Sequence, residues 1–552
     1  MQVIIHNRNY NSWEYTQDGV KVDLPHLIPS KHKLFHDDII GFEDNVVTVI
    51  QSPLKTKILA GVLILGKTYG RFGKRLLYKC IPDNKSLPVF LVPYNVDVGF
   101  SKVIKNKYIV FRFTRWSEDH PHGEITETLG DVDSLDAFNE YQLHRRGLHL
   151  SLTPFAKAAR NLLKDGIQKI LTTTNIEDLR SINPIFTIDP ANCTDFDDAF
   201  SASEENGIAT VNVYIANVFV WLETYSLWEH MTDRVSTIYL PDKKRPMLPP
   251  ILSDDLCSLK EGADRFAFMM SVQYDMRSLK QIGEPVFKNV LVHISKNYEY
   301  EDKKLEKNPA YKVLRTLAKT EDSHEVVAFW MIQMNAMSAE HLRNLGKGIF
   351  RTSTLKEMTL KETSSKETSP KEMTLKETVP QAMLHWLGNH SSSAIYSTVS
   401  APHTQLGVNS YVHITSPIRR LVDILNQIQM NTEISESCQA FLDKWVQKLN
   451  DINHATKEIR KTQTDCELLS KTNFSENNEY SGILFDRTLV SGKYEYAVYI
   501  EELKMFSRIK MEECVENYTK SQFRIFVFED EDRLCKKIQL RELVVFSEAY
   551  AL

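Results

Sequence analysis

The segment Ile188-Asp189-Pro190-Ala191-Asn192-Cys193-Thr194-Asp195-Phe196-Asp197-Asp198 places the strictest condition on how this chain folds. Four aspartates fall within ten residues, with Ile185, Phe186 and Ile188 before them and Ala199 and Phe200 after. The apolar flanks belong in a core, whereas ionised carboxylates are costly to take out of water without partners. Both demands are met where strands leave a sheet. Residues 185–188 and 209–215 read as strands around the loop, which places the carboxylates at a rigid strand end. Crowded carboxylates repel one another, and partial burial raises their pKa values. A divalent cation relieves that repulsion, because short acidic side chains supply the oxygen ligands that Mg²⁺ prefers. A solvated acidic turn, where Asp is favoured for its local hydrogen bonds, uses the same residues. The segment alone leaves both readings open.

Length asks for more than one core. At 552 residues the chain divides into roughly three to five units of ordinary domain size. Its 42% apolar and 25% charged residues are ordinary for a folded protein, and no apolar run is long enough to cross a bilayer. The start Met1-Gln-Val-Ile-Ile-His lacks the basic opening and apolar centre of a signal peptide. Seven scattered cysteines without a CxxC pair argue against a zinc ribbon or disulfide framework. They point to a reducing, intracellular compartment, with the cytoplasm as the expectation.

A net charge of −5 says little about partners, but its distribution is uneven. Between Gln51 and Arg115 there are 13 Lys or Arg against only Asp83 and Asp97. Aromatics interleave them, including Tyr69, Phe72, Tyr78, Phe90, Tyr108, Phe111 and Phe113, with Trp116 just beyond. Many of these rings belong to a core. The charge excess suits single-stranded nucleic acid, which needs neutralised phosphates and rings for base stacking.

Short alternating runs broken by Gly61, Gly66, Gly70 and Gly73 predict a small antiparallel barrel over 1–85. A second of the same OB type follows over 86–134. Helical spacing over 135–180 forms a bridge into a larger mixed α/β domain at 181–475. Within that domain a helix is predicted over 222–231, strands over 266–274 and 284–295, and a long helix over 326–345. Residues 355–378 repeat Lys-Glu with Met or Thr every five residues, a period matching neither helix nor strand, and read as a low-complexity surface insertion. In Thr415-Ser416-Pro417-Ile418-Arg419-Arg420, Ser416 is placed to cap a helix starting at Pro417. Such an end, with hydroxyls and two arginines, suits an anion, though on this segment alone a capped helix with surface arginines is the commoner use of the pattern. Alternation over 480–552 predicts a third small barrel.

Taken together, these segments resemble the ribonuclease II/ribonuclease R (RNB) family of 3′-to-5′ exoribonucleases. The resemblance runs in order through residues 185–200, Tyr239-Leu-Pro-Asp with Pro246-Met-Leu-Pro, Leu256-Cys-Ser-Leu, Phe350-Arg351, His403 with Leu406-Gly407, and Tyr411 to Asp423. It covers roughly residues 180–430. The implied fold is a multidomain α+β chain: an RNB catalytic domain with two cold-shock-like barrels before it and an OB-like RNA-binding barrel after it. Implied roles follow residue by residue. Asp189, Asp195 and Asp198 would hold Mg²⁺, with Mn²⁺ as a substitute, and Asp197 would be the further carboxylate needed for chemistry. Arg419 would clamp the scissile phosphate. Tyr300 would contact the 3′-terminal nucleotides, although Tyr298 lies on the same side of that strand. Tyr239 would stack on terminal bases, and Thr415, Ser416 and Arg420 would contact RNA.

The implied activity is processive, Mg²⁺-dependent hydrolysis of single-stranded RNA to 5′-nucleotides with little sequence preference. No membrane is implied, and protein partners in an RNA-decay complex are left unnamed. Three positions depart from the family pattern: Asn217 where an acidic residue is usual, Ala328 where a helix usually carries Glu, and Leu421 where Tyr is commoner. Glu325 lies one turn before Ala328. The competing reading is an RNB-fold RNA-binding scaffold that has lost turnover, which would not need all four aspartates.

Overall fold

The computed structural model describes all residues except 44–45, 97–103, 175, 182–183, 353–393, 404–405, 472–478, 491, 531–534 and 546–552. The repetitive insertion expected at 355–378 lies outside the described residues. The chain divides into two compact units. One comprises Met1–His149, Leu240–Lys243 and Glu458–Leu552, and the other Leu150–Tyr239 and Lys244–Lys457.

In the first unit, strands Gln2–Ile5, Trp13–Gln17, Val20–Val22, Ile39–Glu43 and Val46–Gln51 form an open five-stranded sheet. A closed barrel then uses Ile58–Phe72, Arg75–Pro82, Phe90–Tyr94, Lys107–Arg115 and His122–Asp131. The boundary expected at residue 85 therefore cuts through this barrel, since Cys80 pairs with Phe90 and Gly61 with Ile109. Closure explains the error. Ile58–Phe72 must pair on both its edges, with Arg75–Pro82 and with Lys107–Arg115, and alternation cannot show which distant strand completes a ring. Phe90 and Phe111 fill this core and Tyr108 stacks on Tyr141 outside it, so only part of the aromatic series reaches the surface. Lys79 lies over the Tyr69 ring at 4.5 Å and Arg115 over Phe72 at 5.2 Å. Near the C-terminus, Glu479–Val490, Lys493–Ile500, Met505–Met511, Lys520–Asp530 and Cys535–Val545 pair as a five-stranded antiparallel sheet whose edge strands, Met505–Met511 and Cys535–Val545, lie against each other.

The second unit is built on a six-stranded mixed sheet. Its distinctive member is the long strand Lys280–Glu299. Residues 280–293 pair antiparallel with Asp264–Asp275, and the far end runs parallel to Ile185–Asp189. One strand thus serves both edges of the sheet. Phe186, Ile188, Phe200, Val211, Val213 and Met270 project into a core completed by helices Pro309–Ala318 and Ser323–Asn344, which contribute Leu314, Trp330 and Met334. The indole of Trp330 donates to the Leu314 carbonyl at 3.3 Å, so this buried ring leaves no polar atom unmatched.

Two helices differ from the sequence reading. The one predicted over 222–231 is Val218–Thr224, capped by the Asn217 side chain on the Val220 amide at 3.1 Å and followed by a short 3-10 turn. The helix predicted from Pro417 begins at Leu421 and runs to Gln429, with Arg420 rather than Ser416 in the capping position. The amides of the intervening turn go elsewhere, as described below.

Candidate active site

The loop leaves its sheet at Asp189, which pairs with Glu299, and re-enters at Asp198, which pairs with Ile215. Because Glu299 is held there, the next residue, Tyr300, donates its amide to the Asp189 carbonyl at 3.1 Å. The turn passes through Asn192 at φ 64°, a left-handed conformation that Asn tolerates better than most residues. Ser258 pins the loop's middle, accepting from the Phe196 amide at 3.0 Å and donating to the Thr194 carbonyl at 2.9 Å.

Each aspartate has its own surroundings. Asp197 is buried, and one oxygen accepts the Ile418 amide at 3.0 Å while the other accepts Arg419 Nε at 3.0 Å. Burial pushes its pKa up to about 7 despite those donors. Asp189 is pushed up to about 6, again mainly by burial, with Thr187 and Arg419 opposing. Asp198 is raised further, first by burial and then by the charges of Asp189 and Asp197. One buried oxygen of Asp189 and one of Asp198 have no hydrogen-bond partner. Asp195 is different: Oδ1 accepts Lys244 Nζ at 3.1 Å and Oδ2 accepts the Tyr239 hydroxyl at 3.0 Å.

The turn before the Leu421–Gln429 helix is consumed by protein carboxylates. The Ser416 amide donates to buried Asp423 at 2.7 Å, and Arg420 Nη2 donates to the same oxygen at 2.9 Å. With the Ile418 amide on Asp197, the expected helix-end anion site has its donors already engaged. The Thr415 hydroxyl accepts from Asn335 at 3.3 Å, and Ser416 Oγ accepts Arg419 Nη2 at 3.0 Å. Thr415 and Ser416 are both buried. Arg419 itself keeps 45% of its side-chain surface exposed.

Tyr300 stacks on His324 with ring centroids 3.7 Å apart and planes 12° from parallel. Burial and the neighbouring charges of Asp198 and Asp189 push its phenol upward. Tyr239 has 42% of its surface exposed, enough to present a ring face. The family-divergent positions also find places. Asn217 donates to Asn289 at 2.7 Å besides capping its helix, and Glu325 accepts the Thr320 hydroxyl.

Among the described residues, no group of three or more His, Cys, Asp or Glu side chains converges closely enough to hold a metal ion. The three expected ligands are therefore not assembled as one cluster. Asp189 and Asp198 still fit a hard divalent cation, since each brings an unmatched buried oxygen and a charge that burial disfavours. Asp195, occupied on both oxygens, does not offer itself in the same way. Sequence reasoning missed Lys244 and Asp423; the only available signals were the Lys243-Lys244-Arg245 run beside Tyr239 and an acid three residues after Arg420.

A bent mixed sheet that delivers carboxylates to a strand end facing an arginine turn defines the class of this unit. Residues 176–310 and 292–436 match the RNB domain, and the chain belongs to the RNB family. It is similar to the DIS3-like exonuclease 2 of Schizosaccharomyces pombe, 30% identical over 236 residues, which are 40% of this chain and 25% of the relative. The chain thus matches about a quarter of that relative's length. In fold it is similar to Mycoplasma genitalium RNase R solved with ribose-methylated single-stranded RNA, at TM-score 0.68 and 16% identity, covering 92% of this chain and 95% of that one. It is also similar to yeast Ssd1, a pseudonuclease, at TM-score 0.56 and 15% identity, covering 88% and 69%. Among the described residues, no helix is long and apolar enough to cross a membrane.

Proposed function

We propose that this chain is a divalent-metal-dependent 3′-to-5′ exoribonuclease acting on single-stranded RNA and releasing 5′-nucleotides processively. The observation that carries the reading is the pairing of buried Asp197 with Arg419 beside the unmatched oxygens of Asp189 and Asp198. The RNA complex of the similar RNase R supports the substrate class. A Mg²⁺ or Mn²⁺ ion held by Asp189 and Asp198 would supply an activated water and neutralise phosphate charge.

The chain's own groups do the rest. Asp197 Oδ2 holds Arg419 Nε and Ser416 Oγ holds Nη2, so the guanidinium plane is set before substrate arrives. Its remaining nitrogen would then meet a phosphate oxygen with little reorganisation, which is where a planar fork exceeds an ammonium. Tyr300, backed by His324, would present its face to the 3′-terminal nucleotide, and Tyr239 would stack on a neighbouring base. Arg420, held by Asp423, would orient the turn, while Thr415 and Ser416, expected to contact RNA, are buried with the Ser416 amide on Asp423 and its hydroxyl on Arg419, so they would support Arg419 instead. The basic barrel face at Tyr69, Lys79, Phe72 and Arg115 would bind RNA without sequence preference. A cytoplasmic location belongs to the same proposal and rests on the scattered cysteines.

The test incubates the purified chain with 5′-labelled single-stranded RNA, with and without Mg²⁺ or Mn²⁺. Stepwise 3′ shortening that EDTA stops and Asp197→Asn abolishes is expected. A second reading, an RNA-binding scaffold without turnover, is favoured by the lack of a converged ligand cluster among the described residues and by the fold shared with a pseudonuclease. Tight RNA binding with no metal-dependent shortening would establish it instead.

A further inference from the structure

Lys244 lies directly across from Tyr239 in a two-stranded ribbon, Ile238–Tyr239 paired with Lys244–Arg245. Its ammonium donates to Asp195 Oδ1 at 3.1 Å, Asp254 Oδ1 at 3.0 Å and Thr194 Oγ1 at 2.7 Å. An ammonium has three donors, so these contacts use all of them. Its cross-strand partner covers the other oxygen of the same carboxylate, because the Tyr239 hydroxyl donates to Asp195 Oδ2 at 3.0 Å. The ribbon thus delivers a cation and a phenol together onto Asp195. Asp189 and Asp198 receive no such partners on their unmatched oxygens.

Charge makes this asymmetry consequential. Two carboxylates about 3 Å from one ammonium, at 26% side-chain exposure for the lysine, bind it far more strongly than in open water. An ion seeking Asp195 must first displace that lysine and strand a positive charge beside itself. We propose that Lys244 is a tethered second cation: it takes the place at Asp195 that a second divalent ion would occupy and leaves a one-ion centre at Asp189 and Asp198. The inference rests on the nuclease reading above for the identity of the ligand. It deepens that reading by setting the number of ions and the residue responsible.

The test counts Mn²⁺ bound to the whole EDTA-stripped chain by electron paramagnetic resonance, without RNA. The unaltered chain binds one ion, and Lys244→Arg, which keeps the charge, also binds one. Lys244→Met binds two, with the affinity for the second raised roughly tenfold or more by loss of the competing charge. Asp195→Asn in the presence of Lys244 leaves the count at one, and the same change in the Lys244→Met background returns two to one. Circular dichroism verifies the fold of each variant; if Lys244→Met does not fold, Asp195→Asn and Lys244→Arg still decide. Two ions on the unaltered chain, none at all, an ion lost in Asp195→Asn, or an unchanged count in folded Lys244→Met would each overturn the proposal. Because no RNA is present, a chain that counts ions as expected but shortens no RNA would sink only the nuclease reading.

Discussion

Asp195 and Asp197 are separated by one phenylalanine, yet they are held in opposite ways. Asp197 is enclosed, bound by a backbone amide and a guanidinium from a turn more than 200 residues downstream. Asp195 is bound by a lysine and a tyrosine on a nearby ribbon, donors at the ends of side chains that can swing away. The first arrangement is rigid because an amide cannot leave without moving the backbone. The second rests on side-chain donors alone. Identical residues on one loop thus divide into a carboxylate that fixes an arginine from a distant turn and one that carries a lysine and a tyrosine from the neighbouring ribbon.

The rigid side should break first and hardest. Asp197→Asn keeps the side chain's shape but removes the charge that holds Arg419, and single-turnover shortening of labelled RNA should slow by about 10³-fold or more, with RNA affinity nearly unchanged. Arg419→Lys retains a positive charge but not the fork spanning Asp197 and Ser416. It should cost about 10²-fold in the same assay, mostly in kcat. Tyr300→Ala removes a stacking face and should weaken binding of short 3′ ends by roughly tenfold in a KM measurement, with a smaller change in kcat. On the Asp195 side, Tyr239→Phe keeps the ring and removes one donor to Asp195. Only a few-fold effect is expected, and a loss approaching that of Asp197→Asn would erase the distinction between the two sides.

Protons distinguish the same groups in stability. The pKa values of Asp197 at about 7 and Asp189 at about 6 lie above the 3.8 of a free aspartate, so the folded chain holds more protons than the unfolded one between those limits. Stability of the metal-free chain contributed by these groups is therefore present at low pH and is lost as pH rises from about 4 to 7, by at most about 1.4 kcal/mol per pH unit for each group. Denaturant unfolding at pH 5 and pH 7.5 should show this fall. Asp197→Asn should flatten it.

Part of this site is legible in the sequence. The aspartate loop and its flanking strands could be read because strand alternation and crowded carboxylates leave local marks in the chain, whereas the arginine segment, expected as a helix from Pro417, is a turn before the helix at Leu421. The long helix expected over 326–345 is Ser323–Asn344, and its apolar spacing announced it. Other features left no local mark. Nothing near Lys244 indicates that it will meet Asp195 and Asp254, and nothing around Ser416 shows that its amide will be taken by Asp423 instead of opening a helix. The barrel boundary failed for the same reason, since Ile58–Phe72 closes a ring with strands on both of its edges.

The chain alone determined which residue types lie at the strand end and which family's order of motifs they follow, because both are properties of neighbours in sequence. Tertiary structure decided which carboxylate fixes the arginine and which is held by the lysine. Those states depend on burial and on donors brought from distant segments, and a one-dimensional pattern contains neither.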